Sequence, residues 1–197
     1  MDLDSSLQNI WLIITIWGFI YLADYYLTII SAKKYRESMQ EYIRYEGSFE
    51  LTPQFQQDID ALRLFSPQFL IRWLLSMPMI YTVWWLSVKV LEQPSFFYFL
   101  VGALVLREVA VHLRHVRNLA LYTHVKSGGV KGKIEYSRWL VLKLSAAELL
   151  SFCFVYGLSA IFVKSWFFSG GAFSCFVVAL QHWRLSKKAS KSVARVA

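Results

Sequence analysis

Apolar residues in this chain come in long runs, not in the short alternations that build the core of a water-soluble domain. A helix needs roughly 20 predominantly apolar residues to cross a bilayer. Five runs approach that length: about Asn9 to Ala32, Phe69 to Leu91, Ser95 to Arg117, Arg138 to Val163 and, the shortest, Phe167 to Trp183. Each is expected to be helical, because an isolated span in lipid has to satisfy its backbone N–H and C=O groups internally. The predicted fold is therefore all-α, a polytopic helical membrane bundle of about five transmembrane helices. It occupies residues 1–185 as one domain, and a basic, disordered tail follows over 186–197.

The polar intervals add local detail. The longest, Lys33 to Gln68, has no helix breaker before Gly47-Ser48, so the first helix is expected to continue to about Tyr45. Thr52-Pro53 then reads as a new helix start, with Thr as cap and Pro in the first turn. Phe55, Ile59, Leu62 and Phe65 fall at spacings of three and four and make one apolar stripe. The interval 33–68 thus holds loop helices that lie on the membrane surface or against the bundle. The later interval with Gly128-Gly129 and Lys131-Gly132-Lys133 is expected to be flexible, and it lacks the spacing and final Ser or Thr of a phosphate-binding loop.

Charge gives the bundle a direction. Met1 to Gln8 carries Asp2 and Asp4 and no Lys or Arg, whereas the next loop carries Lys33, Lys34, Arg36, Arg44 and Arg63. The turn after the second run has only Lys89 close by, and the turn after the fourth has only Lys164. Lys126, Lys131, Lys133 and Arg138 follow the third run, and Arg184, Lys187, Lys188, Lys191 and Arg195 follow the fifth. Basic residues in short loops favour the cytoplasmic side, so the N-terminus is expected outside and the C-terminus in the cytoplasm of a plasma or bacterial inner membrane. The formal net charge of +8 then reads as contact with anionic headgroups at the cytoplasmic face, not as a nucleic-acid surface. Composition agrees: 56% of the 197 residues are hydrophobic and 17% charged, against about 25% charged in soluble domains. The first run lacks a basic leading region and is too long for a signal peptide, so it is expected to remain as a span. Cys153 and Cys175, both inside predicted spans, read as packing residues.

Ionisable residues inside the runs are the candidate chemistry, since charge within a membrane is costly and tends to face the bundle interior with a partner. At about 1.5 Å per helical residue, Arg107, Glu108 and Glu148 share one layer near mid-membrane, with Asp24, Arg72, His112 and Lys143 near or below it. Opposite charges at a shared depth suggest pairing of Arg107 with Glu148, and of Asp24 with Lys143 or Arg72. Arg114 and Arg117 are close enough to the inner end of their run to snorkel to the interface. Thr28, one turn beyond Asp24, adds a hydroxyl to the same face.

Glu108, His112 and His115 recur at i, i+4 and i+7 and so share a helix face. Carboxylate with imidazole suits a transition metal, but three residues of one helix cannot surround an ion, and no fourth ligand is evident. His182 is the one remote His placed to approach His115. The competing reading is that His115 sits at the inner interface while His112, lying deeper, hydrogen-bonds within the bundle, and no cofactor is expected. Pro78 is expected to kink the second run. The Trp residues mostly lie toward the ends of the runs, as interface anchors do.

No nucleophile motif stands out, so the leading expectation is a non-enzymatic structural or interaction subunit of a membrane assembly, as a homo- or hetero-oligomer. The alternatives are a small-ion or proton channel or carrier that uses the mid-membrane charges, and a metal-dependent membrane enzyme acting on lipid. Beyond the bilayer and other subunits, no partner is expected, nucleic acid included.

Overall fold

A computed structural model describes residues 7–52, 54–129 and 131–193. The acidic residues Asp2 and Asp4 and the last four residues lie outside them, as does Pro53. The architecture is all-α apart from two three-residue strands. In chain order the elements are α1 (Ile10–Lys34), β1 (Ile43–Tyr45), α2 (Gln56–Asp60), α3 (Pro67–Trp84), α4 (Pro94–His124), β2 (Ile134–Tyr136), α5 (Arg138–Val163) and α6 (Trp166–Val193). Wider π-type turns prolong α1 over Tyr35–Met39, α3 over Trp85–Val90 and α4 over Val125–Gly129.

The helix ends have local causes. Asn9 caps α1 by accepting from the Leu12 N–H at 3.2 Å. Ser66 caps α3 by accepting from the Phe69 N–H at 3.2 Å, and its hydroxyl in turn donates to Asp58. Pro67 opens α3 and Pro94 opens α4, where a missing N–H costs nothing. α5 spans Arg138–Val163 as expected and stops at Lys164, whose φ of 54° puts it in the left-handed region.

Four helices are long and apolar enough to cross a membrane: Ile10–Met39, Pro67–Val90, Pro94–His124 and Arg138–Val163. α6 is a long helix but is not one of these four; Ser, Gly, Gln and His interrupt its apolar positions. It also runs through residues 186–193, so most of the segment expected to be a disordered tail is helical. Two other expectations are corrected. α1 does not run on to Tyr45; it ends at Met39, and Ile43–Tyr45 becomes β1, paired in parallel with Ile134–Tyr136. The amphipathic loop helix shrinks to the five residues of α2. Ile59 from its stripe is buried, whereas Phe65 is exposed.

α4 is the central helix. One side packs on α1 and α3 through Ile10, Ile13, Trp17, Ile80, Phe97 and Val101. The opposite side packs on α5 and α6 through Leu106, Ala110, Leu149, Tyr156, Cys175 and Ala179. Backbone approach on that second side is so close that a Cβ at Gly102 would overlap the Phe167 carbonyl, and one at Gly170 would overlap that of Phe99. At the His124 end, Tyr35, Met39, Ile43, Tyr122 and Val125 form a further core beside the strand pair, which ties the two long polar intervals together. Outward-facing positions are apolar as well: Leu74, Leu75, Met79, Phe154, Ile161 and Phe162 are exposed. Apolar surface of that extent marks contact with lipid or with other proteins.

Not every Trp is an interface anchor. Trp17 is buried and donates its indole N–H to Ser76 Oγ at 2.8 Å, and Trp73 donates to the Gly18 carbonyl at 3.1 Å. Cys153 and Cys175 are both free thiols, the second fully buried. Pro78 lies inside α3.

Candidate cation site between α1 and α4

α1 and α4 run side by side in the same direction. Their first turns meet through Ile10, Ile13, Phe97 and Val101, and farther along Thr28 and Ser31 meet His115. Along α1 the polar residues Asp24, Thr28 and Ser31 recur at i, i+4 and i+7. Along α4 Glu108, His112 and His115 recur at the same spacing. Each set makes a stripe on one helix face, and the two stripes face each other.

The hydrogen bonds decide which atoms carry protons. The Thr28 hydroxyl donates to the Asp24 carbonyl at 2.9 Å, so toward His115 Nε2, 3.1 Å away, Thr28 can only accept. Nε2 of His115 therefore carries a hydrogen, and the same nitrogen lies 3.4 Å from Asp24 Oδ1. Nδ1 of His115 faces Ser31 Oγ at 3.5 Å.

His112 has the opposite tautomer. Its Nδ1 lies 2.7 Å from the Glu108 carbonyl oxygen, which only accepts, so Nδ1 is the donor. Nε2 of the neutral ring is then a bare lone pair. That atom is buried and has no hydrogen-bond partner among the described residues, and the same holds for Asp24 Oδ1. The Glu108 carboxylate is buried as well. Its Oε1 accepts from Arg107 Nε at 3.2 Å and Nη2 at 2.6 Å, which leaves Oε2 for other contacts. One ligand atom from each of Asp24, Glu108 and His112 lies within 4.8 Å of the others. Buried acceptors without donors cost free energy. Acceptor atoms gathered this closely repel, and a cation among them would relieve that repulsion.

A second group of charges lies on the far side of α4 and is fully partnered. Glu148 on α5 accepts from Arg114 Nε at 2.6 Å and from Arg117 Nη1 at 2.9 Å. His182 on α6 pairs with Ser145 at 2.9 Å and not with His115.

The expected pairings are thus corrected. Arg107 binds the neighbouring Glu108, not Glu148, and the partners of Glu148 are Arg114 and Arg117, the two residues expected to snorkel. Asp24 faces His115, not Lys143 or Arg72. Arg72 donates to Gln54 Oε1 at 2.8 Å over the Phe55 ring, and the Lys143 ammonium lies over the Trp183 ring. His115 is buried against Thr28 and Ser31 of α1. The converging ligand set draws Asp24 from α1 in place of His115. The sequence signal for this is the matching i, i+4, i+7 polar stripe on α1, which supplies the second helix that three residues of α4 lack.

No protein-family model, curated protein or solved structure matches this chain.

Proposed function

We propose that this chain is an integral membrane protein of five spans, N-terminus outside and C-terminus cytoplasmic, that takes a small cation into the site between α1 and α4. Its class is that of a carrier or channel in a plasma or bacterial inner membrane. The observation that carries the reading is the pair of buried atoms, Asp24 Oδ1 and His112 Nε2, which make no hydrogen bond to a described residue and belong to one cluster with the Glu108 carboxylate. Asp24 and Glu108 each lie fourteen residues into their helices, roughly 21 Å along the axis. In a hydrocarbon core of about 30 Å that is well inside the membrane, where an ionisable group marks a solute path by default. The five-span topology is supported by the alternation of basic loops and by the strand pair, which brings two of the basic loops to one end. Basic residues there would meet anionic headgroups.

A second reading, a subunit that packs on other proteins or on its own copies, draws on one observation. Only 11% of the apolar stretch of Pro67–Val90 is buried within the chain, the least of the four helices that are long and apolar enough to cross a membrane.

Proteoliposomes with a trapped ion indicator test the first reading. Wild-type protein is expected to admit divalent cations or Na+ faster than empty vesicles do, and Asp24→Asn is expected to return the rate to the empty-vesicle level while His182→Gln does not. Wild-type rates equal to those of empty vesicles for every cation tried would end the carrier reading. On a background with Cys153→Ser and Cys175→Ala, an impermeant thiol reagent added outside intact cells should label a Cys placed at Ser5 and miss one at Ser127 or Ser190. External labelling of the last two would overturn the orientation.

A further inference from the structure

We propose that Asp24, Glu108 and His112 bind one divalent transition-metal cation of the Zn2+, Fe2+ or Mn2+ class. The proposal deepens the reading of this cluster as a cation site and names the ion and its ligands.

Three features of the cluster point to a metal. The first is the donor set. Two carboxylates and one imidazole nitrogen come from two separate helices, α1 and α4, so the ligands approach from different directions. A neutral imidazole favours Zn, Fe, Ni or Cu over Mg2+ or Ca2+, and carboxylates extend the range to Mn. Mg2+ also prefers to keep several of its waters.

The second is the tautomer. The Nδ1–H of His112 is held by the Glu108 backbone carbonyl, which turns the Nε2 lone pair away from its own helix backbone. Metal-bound His residues are oriented in this way, with the other ring N–H given to a carbonyl or carboxylate. Arg107 does the same for Glu108. By holding Oε1 it fixes the carboxylate and leaves Oε2 to point elsewhere. His115 is placed to steady Asp24 from the other side.

The third is size and access. Zn2+ takes N and O ligands at about 2.0–2.2 Å, so two ligands across the ion are separated by about 4 Å at most. The three ligand atoms lie within 4.8 Å of one another, so the separation about an ion is at most slightly shorter than the limit observed. The Asp24 side chain keeps 30% of its surface exposed, whereas that of Glu108 keeps 7%. Asp24 is therefore the ligand at the edge of the cluster and Glu108 the deeper one. Three protein ligands with an open position describe an exchangeable metal, not a closed structural one.

The test is equilibrium dialysis of the purified full-length protein against Zn2+, with metal quantified by mass spectrometry and Mg2+ as the hard-cation control. Wild type is expected to hold one Zn2+ per chain in preference to Mg2+. Asp24→Asn and His112→Ala should each weaken binding by at least the roughly 10–100-fold seen when only an orienting partner of a ligand is removed. His182→Gln, which alters the remote Ser145 contact, should bind as wild type does. X-ray absorption at the zinc edge of wild type checks the ligands without any variant, and the expected shell is oxygen with one imidazole. Failure of wild type to bind Zn2+, undiminished binding in both ligand variants, or a shell with sulfur or several imidazoles would overturn the proposal. Zn2+ binding without vesicle flux keeps this site and removes the carrier reading. Na+ flux with no Zn2+ binding does the reverse.

Discussion

Glu148 and Asp24 are both carboxylates on long apolar helices, and both reach the central helix α4, yet the fold treats them differently. Glu148 has both oxygens filled, by Arg114 and Arg117. Asp24 meets a histidine at 3.4 Å, and its Oδ1 accepts no hydrogen bond from a described residue. A charge buried for architecture has to be satisfied, because a stranded partner costs several kcal/mol. A charge kept for binding has to retain free acceptors, and stability is given up for that freedom. The α5–α6 side of α4 therefore reads as architecture, with Gly102 and Gly170 bringing backbones into contact and an ion pair completing the face. The α1 side reads as a site.

The largest effect expected from this contrast is at Glu148. Glu148→Gln leaves the Arg114 guanidinium, which is mostly buried, without its counter-charge. The loss should be about 3 kcal/mol, the low end for breaking a buried pair. Arg117 is mostly exposed and should contribute little of it. Thermal unfolding in detergent measures this, and Arg114→Met combined with Glu148→Gln should recover part of the loss. Strictly additive losses would show that the pair is not coupled.

A smaller effect of the opposite kind is expected at Asp24. Asp24→Asn replaces the carboxylate with an amide whose N–H can donate to His112 Nε2, so one of the two unpartnered atoms gains a partner. In metal-free protein the variant should be as stable as wild type or more stable, by up to about 1 kcal/mol, the net worth of an ordinary hydrogen bond. A loss as large as that of Glu148→Gln would erase the distinction between the two sides of α4.

Much of the helical framework is legible in the sequence, and the reason is local. Arg138–Val163 runs from a polar stretch to a lysine, and its apolar run has the length of the helix itself. The depth of Arg107, Glu108 and Glu148 follows from counting residues along each helix. Their partners do not follow, because each residue turns the helix by about 100° and pairing depends on which helix lies on which side. Arg107 and Glu148 share a layer but belong to different contacts. The strand pair carries no local signal either, since Ile43–Tyr45 and Ile134–Tyr136 are three residues each and meet across ninety residues of chain. The site itself is half legible: spacing alone shows the α4 stripe, but that the stripe of Asp24, Thr28 and Ser31 on α1 faces it depends on how the two helices pack.

The most direct measurement is thermal unfolding of wild type and Asp24→Asn in detergent, each with and without Zn2+. A ligand that binds only the folded state stabilises it by about 2.7 kcal/mol at a hundred times its Kd. The account predicts that Zn2+ raises the Tm of wild type and leaves that of Asp24→Asn in place, while the metal-free variant unfolds no earlier than metal-free wild type. A metal-free variant that melts well below wild type, with Zn2+ shifting neither protein, would contradict it and would make Asp24 one more buried structural charge.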